Sequence, residues 1–249
     1  DLGHKIVIQN TIFKLHDGGT QVALIAIVNA LILLPFVLLL SPSGFLSDKY
    51  PRAKVMQASA WVAVALTSVI TVCYYNGWFW LAFAMTFLLA VQSAIYSPAK
   101  FGFIKDLVTN HQLTDANALV QATSTIAILA GTLAFSVMFE QRLAAAEDWM
   151  SAGVLETIAP LGWLLIAGSL MEVWLAYKLP SLEPVNADKK LDMQEYLRGG
   201  YLRKNMRAIR NNQQIWLSIV GLSIFWSIAQ VLLAAYPSYV EETMGITDT

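Results

Sequence analysis

Charge is what this sequence has least of. Sixteen basic and 17 acidic residues make up 13% of 249 positions, against about 25% in an ordinary soluble domain. So few charged side chains cannot clothe a soluble fold of this size, which excludes a soluble enzyme, a secreted scaffold and a nucleic-acid binder. A single cysteine, Cys73, can form neither an internal disulfide nor a cysteine metal cluster. The three histidines, His4, His16 and His111, are not spaced as metal ligands, and no metal or cofactor is expected. Neither a His-x4-Asp pair nor a glycine-rich nucleotide loop is present, so these residues supply no acyl-transfer chemistry. Also missing are an initial methionine and a leader pattern.

What is abundant is apolar surface: 57% of residues are hydrophobic and the mean hydropathy is +0.55. Spans of about 20 apolar residues can cross a bilayer as helices. Hydropathy places a first, partial span at 1–16 and others at about 20–41, 53–75, 78–97, 116–138, 154–177 and 214–236. Strand-like alternation is absent, so the fold class is an all-α polytopic membrane bundle. At 1.5 Å per residue Asp1 would lie about 22 Å inward from the end of the first span. That helix is therefore expected to begin upstream of Asp1, and the chain to be a fragment. Loops after spans two, four and six hold 13 of the 16 basic residues, Lys49, Arg52, Lys54, Lys100, Lys105, Lys178, Lys189, Lys190, Arg198, Arg203, Lys204, Arg207 and Arg210. On the other side only Arg142 is basic, so the three loops are expected in the cytoplasm. Residues 1–178 then form a six-helix half, 179–213 a basic linker, and 214–249 the first helix of a second half, the layout of two-half secondary transporters. In the linker, Tyr196–Arg210 reads as an amphipathic helix lying on anionic lipid. Tyr74, Tyr75, Trp78 and Trp80 read as an aromatic belt at the outer interface.

Three constellations carry chemistry. The loop after span two reads Gly44-Phe-Leu-Ser-Asp48-Lys-Tyr-Pro-Arg52-Ala-Lys54. Gly44 would allow close helix approach, and Asp48 and Arg52 are four residues apart, within pairing distance on a helical turn. The loop resembles the signature of the major facilitator superfamily, Gly-x-Leu-x-Asp-x-x-Gly-Arg. It departs at Pro51, where glycine is usual, and at Ala53, where a basic residue is common.

The second constellation is Tyr96-Ser-Pro98-Ala-Lys100-Phe-Gly102, with Ala116-Asn-Ala-Leu119 and Gln121-Ala-Thr-Ser-Thr125 beyond it. Pro98 is expected to end or kink the helix, leaving Lys100 just past it. Position alone favours a lysine that snorkels at the cytoplasmic interface. The stretch resembles Tyr-Ser-Pro-Ala-Lys-Tyr-Gly of the lysophospholipid transporter family, and Phe225-Trp226 and Gly245–Asp248 extend the likeness. This resemblance implies a facilitator fold and a role for Lys100 on a lipid phosphate.

In the first span, Asp1, His4, Lys5 and Gln9 share an arc of about 140°. Ionisable groups at this depth cost about 2.5–3.5 kcal/mol each and should face the bundle interior. They could wall a substrate cavity, or Asp1 and Lys5 could simply pair across one turn. The resemblance matches Asp1 to the family's embedded aspartate, although Leu2-Gly-His-Lys5 departs from its usual continuation and looks more like transporter segments fused to acyltransferases. No basic residue lies between Gln214 and Thr249, where members can carry an arginine, and Gln230 is the nearest polar substitute. The implied activity is movement of a lysophosphatidylethanolamine-like lipid from the outer to the inner leaflet of a bacterial inner membrane by alternating access. The alternatives are a proton-coupled drug or solute exporter and the membrane part of a transporter–acyltransferase. Expected partners are the lysophospholipid and membrane lipids, a downstream acyltransferase in the fused case, and no nucleic acid. The coupling ion is left open. Asn29, Gln57, Gln92, the Thr123–Thr125 hydroxyls and Glu172 remain lesser candidates.

Overall fold

A computed structural model describes residues 2–109, 111–146, 153–188 and 192–244, with side chains throughout except at 193, 197 and 230–244. Every regular element among these residues is a helix. The chain divides into two compact units, Asp1–Leu191 and Asp192–Thr249.

The first unit opens with α1 (Leu2–Leu15), α2 (Gly18–Leu38) and α3 (Leu40–Lys49). Pro35 lies within α2 and lacks the N–H that would reach back one turn. The helix is interrupted at Leu39, yet Leu39 N–H donates to Pro35 O and Ser43 N–H to Leu39 O, each at 2.8 Å. The polar stretch after span two is thus largely helical, with an extended break at Tyr50 and Pro51 before α4 (Arg52–Tyr75). Asn76-Gly77 then turns the chain, with Gly77 at φ +65°, a conformation that glycine adopts without strain. Next come α5 (Phe79–Leu107), α6 (Leu113–Ala145), α7 (Val154–Ile158) and α8 (Leu161–Tyr177). At 29 residues α5 is about 43 Å long, more than a hydrocarbon core of about 30 Å. Its last turns therefore belong to the interface.

By length and composition α2, α4, α5 and α6 can each cross a membrane, while α8 is a shorter apolar helix. Packing centres on α4, which lies against α5 and α8, while α2 packs on α5 and α1 on α6. Val7, Ile8, Ile12, Ile70, Leu89, Phe139 and Ile158 are buried in the shared core. Helices in lipid gain little from apolar burial against each other and depend on close approach. Gly162 supplies one such contact, since a Cβ there would stand 2.6 Å from Thr71 Oγ1. At one end of the α1–α6 contact Lys14 pairs with Glu140 at 3.0 Å. Leu119, Leu129 and Leu133 of α6 stay exposed, as expected of a surface that meets lipid.

The second unit contains α9 (Met193–Leu197), α10 (Gly200–Asn211) and α11 (Gln213–Met244). The Asp192 carboxylate caps α9 by accepting from the N–H groups of Gln194 and Glu195. Along α10, Arg203, Lys204, Arg207 and Arg210 share one arc and Leu202, Met206 and Ile209 another, the amphipathic pattern expected of the linker.

Candidate functional site

The signature loop is organised by Arg52, the first residue of α4. Its guanidinium reaches Asp48 Oδ1 at 3.8 Å, the pair expected from spacing. Two shorter bonds go to α5: Nη1 donates to Gly102 O at 2.6 Å and to Asp106 Oδ2 at 2.5 Å. Asp106 lies in the last turn of α5, where the helix dipole disfavours an acid unless a cation faces it. The planar fork of arginine can meet several acceptors at once, which a lysine ammonium does with less order. The guanidinium lies directly on Gly102, where a Cβ would be 2.6 Å from Arg52 Cζ and Nε. Close approach was expected at Gly44, and the structure corrects this: a Cβ at Gly44 meets nothing within 4 Å. The tight contact of this region is at Gly102 instead.

Pro98 does not end its helix. The α5 helix continues nine residues beyond it to Leu107, so Lys100 lies within the helix and not past it. Lys100 is half-buried, and its Nζ donates to Ser124 Oγ of α6 at 3.5 Å while lying 5.7 Å from the Phe101 ring centre. The hydroxyls of Thr123 and Thr125 bond to carbonyls of their own helix, so of this run Ser124 is the one joined to Lys100. This bond joins α5 to α6 through an ammonium and a hydroxyl.

The polar arc on α1 divides. Lys5 and Gln9 are half-buried, whereas His4 is fully buried against α4 and α5. His4 Nδ1 is 2.7 Å from Tyr74 Oη, and Nε2 is 3.0 Å from Ala82 O and 3.1 Å from Thr86 Oγ1. A carbonyl only accepts, so Nε2 carries the proton, and Tyr74 donates to Nδ1 of a neutral ring. His4 is therefore a helix-packing node and leaves the cavity wall. Tyr74 likewise leaves the aromatic belt, because it is fully buried while Tyr75, Trp78 and Trp80 are exposed. Asp1 lies outside the described residues, and so does the side chain of Gln230.

A Major Facilitator Superfamily profile matches residues 7–249. The chain belongs to that superfamily. Among curated proteins this facilitator chain is similar to Lysophospholipid transporter LplT of Photorhabdus laumondii, 28% identical over 222 residues, covering 89% of this chain and 50% of the relative. Proteins of the same name from Citrobacter koseri and Enterobacter sp. are 27% and 25% identical, each covering 93% of this chain and 51% of the relative. The chain spans about half the length of the curated relatives it matches. No solved structure gives a significant match. The resemblance drawn from the Tyr96–Gly102 stretch therefore agrees with the names these relatives carry, and the facilitator chain is an all-α, multi-pass membrane helix bundle.

The Arg52 clamp also shows what the loop motif contains in this facilitator chain. Asp106 is 54 residues from Arg52 and lies between the fourth and fifth apolar runs, where its one signal in the sequence is an acid beside Lys105. Nothing near Tyr74 or Thr86 in the sequence marks either as a partner of His4.

Proposed function

We propose that this chain is the N-terminal part of a transporter that carries lysophospholipid, of the lysophosphatidylethanolamine kind, from the outer to the inner leaflet by alternating access. Residues 1–178 form its first six-helix half, 179–213 the linker and 214–249 the first helix of the second half. Its place is a bacterial inner membrane, with the basic loops cytoplasmic. The names of the relatives support the substrate, and one observation carries the mechanism: the Lys100 ammonium is half-buried between α5 and α6, held by one long bond to Ser124.

An ammonium in this setting can take a lipid phosphate with charge-assisted bonds while its stem packs on apolar surface. Asp1 takes the headgroup amine, Lys5 serves the same headgroup, and Gln230 is the substrate-binding residue proposed for the second half. The acyl chain needs no polar partner and stays along apolar helix faces. Arg52 holds α3 and α5 together in one state of the cycle through Asp48, Gly102 and Asp106, and releasing it lets the halves rock.

The test is flipping of labelled lysophosphatidylethanolamine by the full-length protein in reconstituted vesicles. Uptake should exceed that of empty vesicles, and Lys100→Ala should lower it about 10–100-fold, the value of one charge-assisted bond. Uptake equal to that of empty vesicles overturns the substrate. Uptake unchanged in Lys100→Ala overturns the site.

A further inference from the structure

A groove of about 450 Å³ lies between α3, α4 and α5, beside the signature loop. Leu46 and Tyr50 line it from the α3 side, Lys54, Val62 and Leu66 from α4, and Ile95 from α5. Ser59 and Gln92 also line it, but they occupy each other. Ser59 Oγ donates to Gln92 O at 3.2 Å, Gln92 Nε2 donates to Ser59 O at 3.1 Å, and Gln92 Oε1 accepts from Ser93 Oγ at 3.3 Å. With these side chains satisfied, the floor is in effect apolar.

Lys54 and Tyr50 mark one end. A second ammonium stands beside them, since Lys49 Nζ is 5.8 Å from the Tyr50 ring centre. The acid of the same loop, Asp48, is turned to Arg52 at 3.8 Å. The mouth is therefore cationic and the remainder greasy. From Lys54 to Leu66 the groove follows about 18 Å of α4, close to the 15 Å or so of one leaflet. Around the α5 axis Lys100 lies about 130° from the groove-lining residues of that helix, so the groove is distinct from the Lys100 cluster.

We propose that this groove binds one acyl chain of an anionic bilayer phospholipid, its phosphate seated on Lys54 beside Tyr50. The bound lipid bridges α3 to α4 and α5 next to the Arg52 clamp, as a lipid of the fold and not as transported cargo. This inference does not depend on the identity of the transported substrate.

The test is native mass spectrometry of the full-length protein released from nanodiscs of equal parts phosphatidylglycerol and phosphatidylcholine. Phosphatidylglycerol should be retained in preference to phosphatidylcholine. Val62→Trp and Leu66→Trp fill the groove and should abolish retention with helix content unchanged. Lys54→Gln should lower the preference about fivefold, the effect of one lysine at a lipid surface, and Lys54→Arg should keep it. Should both tryptophan variants unfold, the Lys54 pair decides. Retention unaffected by filling the groove overturns the proposal, as does equal retention of the two lipids. Displacement by equimolar lysophosphatidylethanolamine also overturns it, since the groove would then hold the cargo.

Discussion

The two ends of the α4–α5 pair are tied by opposite kinds of chemistry. Near the Asn76-Gly77 turn the tie is neutral: His4 joins α1 to Tyr74, Ala82 and Thr86, and all four residues are buried. At the far end it is ionic: Arg52 joins α4 to Asp48, Gly102 and Asp106, and the two acids are 34% and 29% exposed. A neutral knot inside the bundle cannot be screened or hydrated, and each partner it loses stays unsatisfied. A charged tie at the interface can open, because water and headgroups will take its members. The Arg52 side chain is itself only 13% exposed, so what separates the two ties is that the acids of the ionic one are open to water. The first tie suits a link that holds the fold, and in the proposed cycle the second is the one that opens.

The strongest way to break this comparison is to remove the knot. His4→Ala leaves the Tyr74 hydroxyl, the Thr86 hydroxyl and the Ala82 carbonyl without their shared partner. Membrane hydrogen bonds average about 0.6 and reach about 1.7 kcal/mol each, so a loss of about 2–4 kcal/mol is expected. Tyr74→Phe strips one bond and should cost about 1 kcal/mol. Thermal unfolding in lipid discs measures both. A His4→Ala protein as stable as its parent would mean that the buried knot does not hold the fold.

The next effect is on the clamp, and it should separate function from stability. In Gly102→Ala the new Cβ falls on Arg52 Cζ and Nε at 2.6 Å, so the guanidinium must shift from the seat that aims it at Gly102 O and Asp106. Arg52→Lys keeps the charge but loses the fork. Each should slow transport about tenfold, equivalent to ~1.4 kcal/mol in the cycle, while shifting the unfolding midpoint less than His4→Ala does. A Gly102→Ala protein that transports normally would mean the clamp is not part of the cycle.

The sequence was more legible for the clamp than for the knot, and the reason is local. Asp48 and Arg52 sit one turn apart, so spacing alone pairs them. Asp106 is 54 residues away from Arg52 and His4 is 70 from Tyr74, separations at which residue order says nothing about contact. The hydropathy pattern located each apolar run but stopped the fourth at 97, because Pro98 and the basic residues beyond it read as an end. The helix continues to Leu107 because losing one N–H at Pro98 does not oblige a long helix to stop. Gly44 was marked by its place in a motif, whereas Gly102, which bears the contact, was visible only as the last residue of a quoted stretch. Hydropathy also grouped Tyr74 with its exposed aromatic neighbours, since it registers ring content and not which way a helix face turns.

The smallest effect should come from a charged tie whose cation is open to water. In the second unit Lys204 Nζ meets Glu195 Oε1 at 2.5 Å, with the lysine side chain 71% exposed. The hydrogen bond to Glu195, and then its charge, hold the Lys204 ammonium above its ordinary value of 10.5. A lysine whose folded value is raised contributes its stability in full below the ordinary value and loses it as pH climbs through the raised one. Around neutral pH the pair is intact, but water competes for both ends, so Glu195→Gln should leave unfolding unchanged there. What the substitution should move is the titration itself: the Lys204 midpoint, followed by nuclear magnetic resonance, should fall back toward 10.5. A midpoint that stays put would mean the pair does not persist in solution. A drop in stability at neutral pH would be the more damaging result, because a pair with its cation in water would then rival the buried neutral knot.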